Sequence, residues 1–248
     1  MKIIFLKPNN LKFIIRTFLE NFLEKILKKD EISQAVKDYV FRNAEQNNPD
    51  SVLKAMDNFA RKKRFLMNIG DEKGYLLTKE IKKFDKDILI LELGCFCGYS
   101  AILMAKNIGK SGKVISIEVN KIYAKNASAI IDYAGLKNKI IIIEGPSEKV
   151  IGTLRFRFDL IFLDHWKHLY KRDLIAIEKR GLLKNGSVIF ADNVGKLISA
   201  LVGKRGKSED YLEYVRNNKK YTNKNIKTFL EYSKAEDEVE ISTYSLDY

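Results

Sequence analysis

Two acidic side chains and an amide follow two apolar segments in the second half of this sequence. Asp164 follows FDLIFL, and Asp192 with Asn193 follows GSVIFA. If both segments are parallel strands of one sheet, their carboxyl ends meet at the same edge. Carboxylate and amide oxygens favour a hard cation such as Mg²⁺ that keeps open positions for water or substrate. Strand-end Asp and Asn also cap helices and turns, but the combination predicts a metal site.

The residues that follow Asp164 offer further chemistry. Lys167 is close enough to share the site, and a divalent cation beside it would disfavour the ammonium form, so it is a candidate general base. The alternative is a solvated loop lysine. Trp166, the only tryptophan, is placed to wall a flat aromatic substrate. We interpret His165 as packing against a cofactor ring and His168 as a surface residue.

An earlier apolar segment, DILILELG, ends in a turn suited to a cofactor. Gly94 and Gly98 flank this turn before the helical segment AILMAKNI, so a ligand can approach the backbone there. Glu118 ends the next apolar segment about 24 residues after Gly94, which is typical of acids that bind ribose hydroxyls. Because GxxxG differs from the GxGxxG of pyrophosphate binders, S-adenosylmethionine fits better than a dinucleotide. The alternative is a tight turn and an ordinary surface acid.

The elements that must position these residues follow an alternating pattern. Five β-rich segments alternate with helical ones, which predicts a parallel sheet: DILILELG, KVISIEV, KIIIIEG, FDLIFLD and GSVIFAD. Near the end of the chain, KTFLEYS and EVEISTYS are too close together for a crossover helix. They should pair as an antiparallel hairpin.

Three helical patterns precede the sheet. From Leu11 to Lys29, apolar residues recur at helical spacing, with Lys25, Lys28 and Lys29 near the end. We expect an amphipathic helix that docks on the domain or lies at an anionic membrane surface through residues 11–29, without spanning it. Shorter patterns cover 33–45 and 50–64. We therefore expect an N-terminal extension over 1–30 and one domain over 31–248.

The composition indicates a soluble α/β protein. A chain of 248 residues with 46% apolar content can bury a sizeable core. The formal charge of +13 is diffuse, so no nucleic-acid partner is expected. The only cysteines, Cys95 and Cys97, suit neither a disulfide framework nor a zinc site. The short apolar start breaks at Lys7 and Pro8, so we expect a cytoplasmic location, and we expect a monomer.

Several motifs in order give the sequence a resemblance to the catechol O-methyltransferase family. They are SVLKAMD, MNIGDEKG, LELGCFCGYSA, YAGLKNK, FLDHWK, IEKRGLLKNGSVIFADNV, YLEYVR and FLEY, between about Ser51 and Tyr244. The resemblance implies a Rossmann-like, doubly wound, seven-stranded α/β sheet that is mostly parallel with a C-terminal antiparallel hairpin. It also implies S-adenosylmethionine and Mg²⁺ as cofactors, and a small catechol as the substrate that accepts the methyl group.

The resemblance assigns roles residue by residue. Asp164, Asp192 and Asn193 match the metal ligands, Lys167 matches the catalytic base, and Glu231 matches the carboxylate that binds the second catechol hydroxyl. The implied cofactor-binding residues are Met67, Ile69, Glu92, Gly94, Ser100, Glu118, Val119, Gly145, Ser147, Asp164 and His165. Among them, Glu92 and Ser100 would hold the methionine part, and Gly145 and Ser147 would lie near the adenine. The implied substrate-binding residues are Phe65, Trp166, Lys167, Asn193, Leu230 and Glu231.

The sequence also departs from the family. Phe65 stands where a tryptophan is usual and Phe96 where a tyrosine is usual. The segment VGKLISALVGKRGKSED, which follows Asn193, is longer than the family's loop and lacks its proline, so we expect a permissive, loosely closed lid. Two alternatives stay open: methylation of another vicinal diol, such as a caffeoyl ester or a flavonoid, and a non-catalytic protein that binds S-adenosylmethionine or nucleic acid.

Overall fold

The computed structural model describes residues 7–27, 31–85 and 87–246 of the chain. Its strands are β1 (Leu89–Leu93), β2 (Lys113–Glu118), β3 (Ile140–Glu144), β4 (Phe158–Leu163), β5 (Leu183–Ala191), β6 (Tyr221–Phe229) and β7 (Glu236–Tyr244). Its α-helices are α1 (Pro8–Leu27), α2 (Ile32–Asn43), α3 (Pro49–Lys62), α4 (Gly70–Ile81), α5 (Tyr99–Asn107), α6 (Lys121–Tyr133), α7 (Ser147–Thr153), α8 (Tyr170–Lys179), α9 (Lys196–Val202) and α10 (Glu209–Asn217). Short 3₁₀ helices cover Lys167–Leu169 and Gly203–Gly206.

The strands form one sheet in the order β3-β2-β1-β4-β5-β7-β6. Strands β1 to β5 are parallel, and β7 runs antiparallel to both β5 and β6. The chain first builds outward from β1 to β3 and then returns to the other side of β1 with β4. Ligands of open α/β sheets bind at this reversal, between β1 and β4. The predicted doubly wound sheet with its C-terminal hairpin is therefore confirmed.

The register of the central strands brings their carboxyl ends to one level. Leu93 pairs with Leu163, which in turn pairs with Ala191. The ladder continues one residue further, because the amide of Asp164 donates to the Leu93 carbonyl and the amide of Asp192 donates to the Leu163 carbonyl, each at 3.0 Å. The two acidic residues that the sequence singled out are thus neighbours at the sheet edge.

The core has one apolar layer on each face of the sheet, because successive strand residues point to opposite faces. Ile90 packs with residues of α2 to α6, while Leu91 packs with residues of α7, α8 and α10. Both side chains are fully buried. Strands β1, β2 and β4 are covered on both sides, which explains their continuous apolar runs in the sequence. The outermost strand β3 is apolar as well, but its Ile141 is 49% exposed.

Several element bounds differ from those predicted. Helix α1 begins at Pro8 rather than Leu11, and the predicted basic end at Lys28 and Lys29 lies outside the described residues. Helices α4 and α7 were not predicted. Strand β6 begins at Tyr221 and ends at Phe229, earlier than the segment KTFLEYS, because this outer strand exposes polar side chains and lacks an apolar signal. Leu230 and Glu231 consequently lie in the turn before β7.

The segment after Asn193, which was expected to be a loop, forms α9 and a 3₁₀ turn, and its loose closure stays a prediction. Leu197 and Ile198 of α9 are buried, whereas Leu201 and Val202 are partly exposed. Within the part of the chain that the structure describes, no helix is both long and apolar enough to cross a membrane.

Candidate active site

The first pair of candidate catalytic residues follows β4. The 3₁₀ helix that begins at Lys167 turns its side chain back toward the strand end, so that Nζ donates to Asp164 Oδ1 at 3.1 Å. Lys167 is buried, and so is most of the Asp164 side chain. The predicted base and the first predicted metal ligand are therefore in direct contact.

The second group follows β5 and includes a residue from the distant hairpin. Asn193 has a left-handed backbone conformation with φ of 51°, and its amide donates to Asp192 Oδ1 at 2.8 Å. Its side-chain Nδ2 donates to Glu231 Oε1 at 3.0 Å and to Asp237 Oδ2 at 2.9 Å. The Oδ1 atom of Asn193 takes no part in these two bonds and remains suited to a metal. Asn193 and Glu231, both predicted site residues, thus lie together.

A buried lysine that the sequence reading missed lies among these carboxylates. Lys73 Nζ is 2.7 Å from Asp192 Oδ1, 2.5 Å from Glu231 Oε1 and 2.9 Å from Asp237 Oδ2. Burial acts to lower the pKa of Lys73, but the carboxylates of Asp192, Asp237 and Glu231 outweigh it and hold the pKa well above its usual range. The three carboxylates therefore favour the ammonium form of Lys73 inside the site.

The site has more negative than positive groups. Four carboxylates, those of Asp164, Asp192, Glu231 and Asp237, meet two ammonium groups, those of Lys73 and Lys167, which gives a formal charge of −2 when all six are ionised. Burial is the main reason that the pKa values of Asp164 and Asp192 are raised. Neighbouring carboxylates raise them further, while the two lysines oppose this.

The donor set of the site fits a hard divalent cation. A dication would cancel the formal charge of −2, and the available donors are oxygens. Among the described residues, the carboxylates close enough to share one ion are those of Asp192, Glu231 and Asp237, but Lys73 already contacts all three. Of the predicted ligands, Asp192 contacts Lys73 through both oxygens, and Asp164 contacts Lys167 instead. The set of Asp164, Asp192 and Asn193 stays a prediction.

The cofactor side of the cleft begins with a fully buried carboxyl group at the end of β1. Glu92 Oε2 accepts a hydrogen bond from the Ser116 hydroxyl, while Oε1 accepts none from the described residues. Burial raises the pKa of Glu92 to about 8, although the hydroxyls of Ser100 and Ser116 favour ionisation. A buried carboxyl oxygen without a partner suits a cationic ligand group, such as the ammonium of a methionine moiety.

The turn after β1 approaches the end of β4 closely. Gly94 has φ of 103°, and a Cβ at this position would lie 2.6 Å from the Asp164 carbonyl oxygen. Glu118, at the end of β2, accepts backbone hydrogen bonds from Phe96 at 2.9 Å and from Asn120 at 2.8 Å. These bonds fix the orientation of the carboxylate that is predicted to bind ribose.

At the predicted adenine end, two expected cofactor residues share a partner. Ser147 donates to Asp173 Oδ2 at 2.6 Å, and His165 Nε2 lies 2.8 Å from the same oxygen. Burial lowers the pKa of His165 although the contact with Asp173 opposes this, so the ring is neutral and donates through Nε2. His165 Nδ1 is then a buried acceptor with no partner among the described residues.

The remaining predicted cofactor residues differ in exposure. Ile69 is buried, whereas Met67 is 49% exposed and Val119 is 61% exposed. Gly145 has φ of 146°, and its amide donates to the Glu118 carbonyl at 2.9 Å. The exposed Met67 and Val119 offer apolar surface to a ligand without being needed for the core.

The predicted substrate residues form the opposite side of the site. Leu230 is buried beside Glu231, and Phe65 is half-buried with its ring centroid 5.2 Å from that of Phe13. Trp166 is 42% exposed, and the Arg205 guanidinium lies 4.9 Å above its ring. A tryptophan left this exposed is available as a wall for a flat ligand. His168 is exposed, as predicted.

Sequence comparisons identify a family and several known proteins that this chain resembles. Residues 42–244 match a family described as O-methyltransferase. "Catechol O-methyltransferase B" of Danio rerio is 37% identical over 227 residues, which cover 90% of this chain and 81% of that protein. "Catechol O-methyltransferase" of Bos taurus is 32% identical over 250 residues, which cover 96% of this chain and 88% of that protein.

Solved structures show the same fold at lower identity. The O-methyltransferase TomG from Streptomyces achromogenes, in complex with SAM, superposes with a TM-score of 0.67 at 20% identity over 93% of this chain and 97% of that chain. An O-methyltransferase from Bacillus cereus, in complex with SAH, gives a TM-score of 0.65 at 19% identity, with 93% and 99% coverage. At this identity the likeness concerns the fold alone.

Proposed function

Because this chain belongs to the O-methyltransferase family, we propose that it transfers the methyl group of S-adenosylmethionine to one hydroxyl of a catechol with the help of Mg²⁺. The observation that carries this proposal is the buried cluster of Asp164, Lys167, Asp192, Asn193 and Glu231 at the strand ends. Its excess negative charge suits a divalent cation, and Lys167 is at hand as a base. The names of the fish and bovine relatives support a catechol as the acceptor.

The metal would be held by Asp164, Asp192 and Asn193 Oδ1. When bound, Mg²⁺ supplies positive charge that favours ionisation of a coordinated hydroxyl group. Lys73 Nζ contacts both carboxylate oxygens of Asp192, Oδ1 at 2.7 Å and Oδ2 at 2.9 Å, and so fixes the orientation of that carboxylate. The Lys73 ammonium group thus orients the proposed metal ligand Asp192 without a bound metal.

Two residues would act directly on the acceptor. Lys167, in its neutral form, accepts the proton of the reacting hydroxyl, while Glu231 accepts a hydrogen bond from the second hydroxyl and so orients the diol. Glu231 Oε1 is already held by Lys73 and Asn193, whereas Oε2 has no partner among the described residues and is free for this task. Positioning of nucleophile and methyl group can supply roughly 7–11 kcal/mol of barrier reduction.

The donor would lie along Glu92, Glu118 and His165. S-adenosylmethionine supplies a sulfonium methyl group. Glu92 Oε1 would accept from its ammonium group, Glu118 would bind the ribose hydroxyls, and the unpaired Nδ1 acceptor of His165 suits a purine amino group. Glu92 and Glu118 lie at the carboxyl ends of β1 and β2, and His165 follows β4, so the three residues span the cleft at the reversal of strand order.

Radiolabelled methyl transfer to a panel of diols tests this proposal. We expect transfer to catechols with Mg²⁺, none with excess chelator, and none by Asp164→Ala, which should keep its fold by circular dichroism. Asp210→Ala, at an exposed position, is the control and should retain activity. Full activity in excess chelator would remove the metal from the proposal.

The same panel separates the alternative acceptors. Lys204, Arg205 and Lys207 are exposed after α9, so an acidic substituent on the acceptor would meet positive charge, and we expect dihydroxybenzoate to give a higher kcat/KM than dopamine. A caffeoyl ester and a flavonoid with a vicinal diol belong in the panel. Preference for either over every simple catechol would favour that acceptor, and absence of transfer to any diol would favour a non-catalytic protein.

A further inference from the structure

Helix α1 is attached to the domain by one face of its first turns. Lys7 pairs with Glu236 at 2.6 Å, and the buried Asn10 accepts from the Glu236 amide through Oδ1 at 2.9 Å. Phe13 is 6% exposed, and Arg16 donates to the Ala60 carbonyl at 2.9 Å. These contacts join α1 to two separate parts of the chain, the start of β7 and the end of α3.

Both attachment points border the proposed acceptor site. The turn that precedes Glu236 carries Leu230 and Glu231, and the segment after α3 carries Phe65. Phe13 packs in one cluster with Leu230, Ala235 and the α9 residues Leu197 and Ile198, with Phe65 beside it. Phe13 therefore belongs to the apolar cluster that includes Leu230, next to Glu231, and the α9 residues that follow Asn193.

The position of the diol determines where the rest of the acceptor ring must lie. If its hydroxyls meet Glu231 and the metal ligand Asn193, the ring carbons face the apolar residues beside them, because the opposite side is filled by the charged cluster around Lys73. Those apolar residues are Leu230, Leu197 and Ile198. A substituent on the ring would then extend toward Phe13 and Phe65.

We infer that α1 is a wall of the acceptor site and that Phe13 sets the size of the ring substituent that the enzyme accepts. The inference rests on the proposed catechol methylation. It gives a role to the N-terminal extension, which lies outside residues 42–244 matched by the family. It also accounts for phenylalanine at position 65, where a larger tryptophan is usual: the ring of Phe13 stands edge-on against Phe65, with an interplanar angle of 77°.

The helix supplies its own matched control. Leu11, Ile15 and Phe18 lie on the face away from the domain, and Phe18 is 69% exposed. Phe13→Ala and Phe18→Ala remove the same side chain from the same helix, so any effect of helix propensity is shared. Only Phe13→Ala removes a contact with the cluster beside Glu231.

The experiment compares kcat/KM for catechol and for 4-tert-butylcatechol in four chains: wild type, Phe13→Ala, Phe13→Trp and Phe18→Ala. Apolar contacts in a pocket of this kind discriminate by about tenfold or more for a small group. We expect Phe13→Ala to raise the ratio of bulky to plain substrate about tenfold, Phe13→Trp to lower it, and Phe18→Ala to leave it unchanged. Binding of S-adenosylhomocysteine, measured by calorimetry, should be equal in all four.

The possible outcomes of this experiment distinguish the role of Phe13 from the proposed function. Opposite changes of the substrate ratio in the Ala and Trp variants support the wall, because a general loss of stability would not favour the bulky substrate. If Phe13→Ala fails to fold, Phe13→Leu takes its place with the same expected direction. Equal ratios in all variants overturn the inference while wild-type turnover upholds the proposed function. A wild type that methylates neither catechol overturns both.

Discussion

Replacement of Glu92 by glutamine should make the cofactor-free protein more stable, by an amount that grows with pH. Glutamine keeps the shape of the side chain but cannot ionise. In the folded chain, burial raises the pKa of Glu92 from its ordinary 4.5 to about 8. Between these two values the folded state holds a proton that the unfolded chain releases, so the wild type loses stability as pH rises.

The magnitude follows from the interval between the two pKa values. Each pH unit corresponds to ~1.4 kcal/mol, so the interval from 4.5 to about 8 amounts to roughly 5 kcal/mol at its upper end. Below pH 4.5 the carboxyl group is protonated in both states and contributes no pH dependence. We therefore expect the difference in unfolding free energy, Glu92→Gln minus wild type, to grow by ~1.4 kcal/mol per pH unit across this window.

Urea unfolding of both cofactor-free proteins at pH 5, 6, 7 and 8, followed by circular dichroism, measures this difference. Glu144→Gln is the matched control, because it removes a carboxylate at the end of β3 that is exposed instead of buried. The Glu92 variant should also lose affinity for S-adenosylmethionine. A constant difference between Glu92→Gln and wild type from pH 5 to pH 8 would refute a buried, protonated Glu92.

Three further substitutions test the site at other points. Lys167→Ala should lower kcat by about 10² or more, as expected for loss of a general base, while calorimetry should show normal binding of S-adenosylmethionine. The exposed control Lys179→Ala should keep its activity, and an unchanged kcat in Lys167→Ala would exclude Lys167 as the base. Gly94→Ala should lower stability by roughly 1–3 kcal/mol because of the positive φ of Gly94 and the close Asp164 carbonyl. Gly152 has open space around it, so Gly152→Ala should not lower stability, and equal melting temperatures for the two variants would contradict this account of the turn. Lys73→Met should lower the free energy of unfolding in urea by about 3–5 kcal/mol, because it leaves buried carboxylates without their cation. Lys79→Met, at an exposed position on the same helix, should have little effect, and similar urea midpoints for the two variants would contradict the ion-pair cluster.

The sheet and the strand-end residues could be predicted because both depend on local patterns. Continuous apolar runs marked β1 to β5, and parallel pairing brings the residues after them to one edge. Asp164 and Asp192 therefore became neighbours in the prediction without any knowledge of the register. The structure adds the hydrogen bonds that place them one residue beyond Leu93 and Leu163.

Lys73 could not be predicted in this way, because its partners are distant in sequence. Asp192, Glu231 and Asp237 are 119, 158 and 164 residues away from it, and a lysine in GDEKG resembles the many lysines of the chain. In the structure, Lys73 lies on the buried face of α4 together with Gly70 and Gly74. Asp173 was missed for the same reason, since its contact with Ser147 joins α7 and α8.

Docking of α1 and the course of β6 also required the tertiary structure. The period of α1 predicts an apolar face but does not say which surface it meets. Asn10 and Lys7, which attach it to Glu236, precede the predicted start at Leu11. Strand β6 is polar on its exposed positions, so only its pairing with β7 from Tyr221 to Phe229 identifies it.

The outer position of β6 has a consequence for pairing between the sheets of two molecules. The two outermost strands of the sheet, β3 and β6, could each template pairing with another molecule. Strand β3 has only five residues, which gives an approaching chain little to bond with. Strand β6 has nine, but it projects Lys224 and Lys227 into solvent, and two such strands laid side by side would bring these ammonium groups together. We therefore expect these two lysines, which contribute to the positive charge of the chain, to disfavour edge-to-edge pairing through β6.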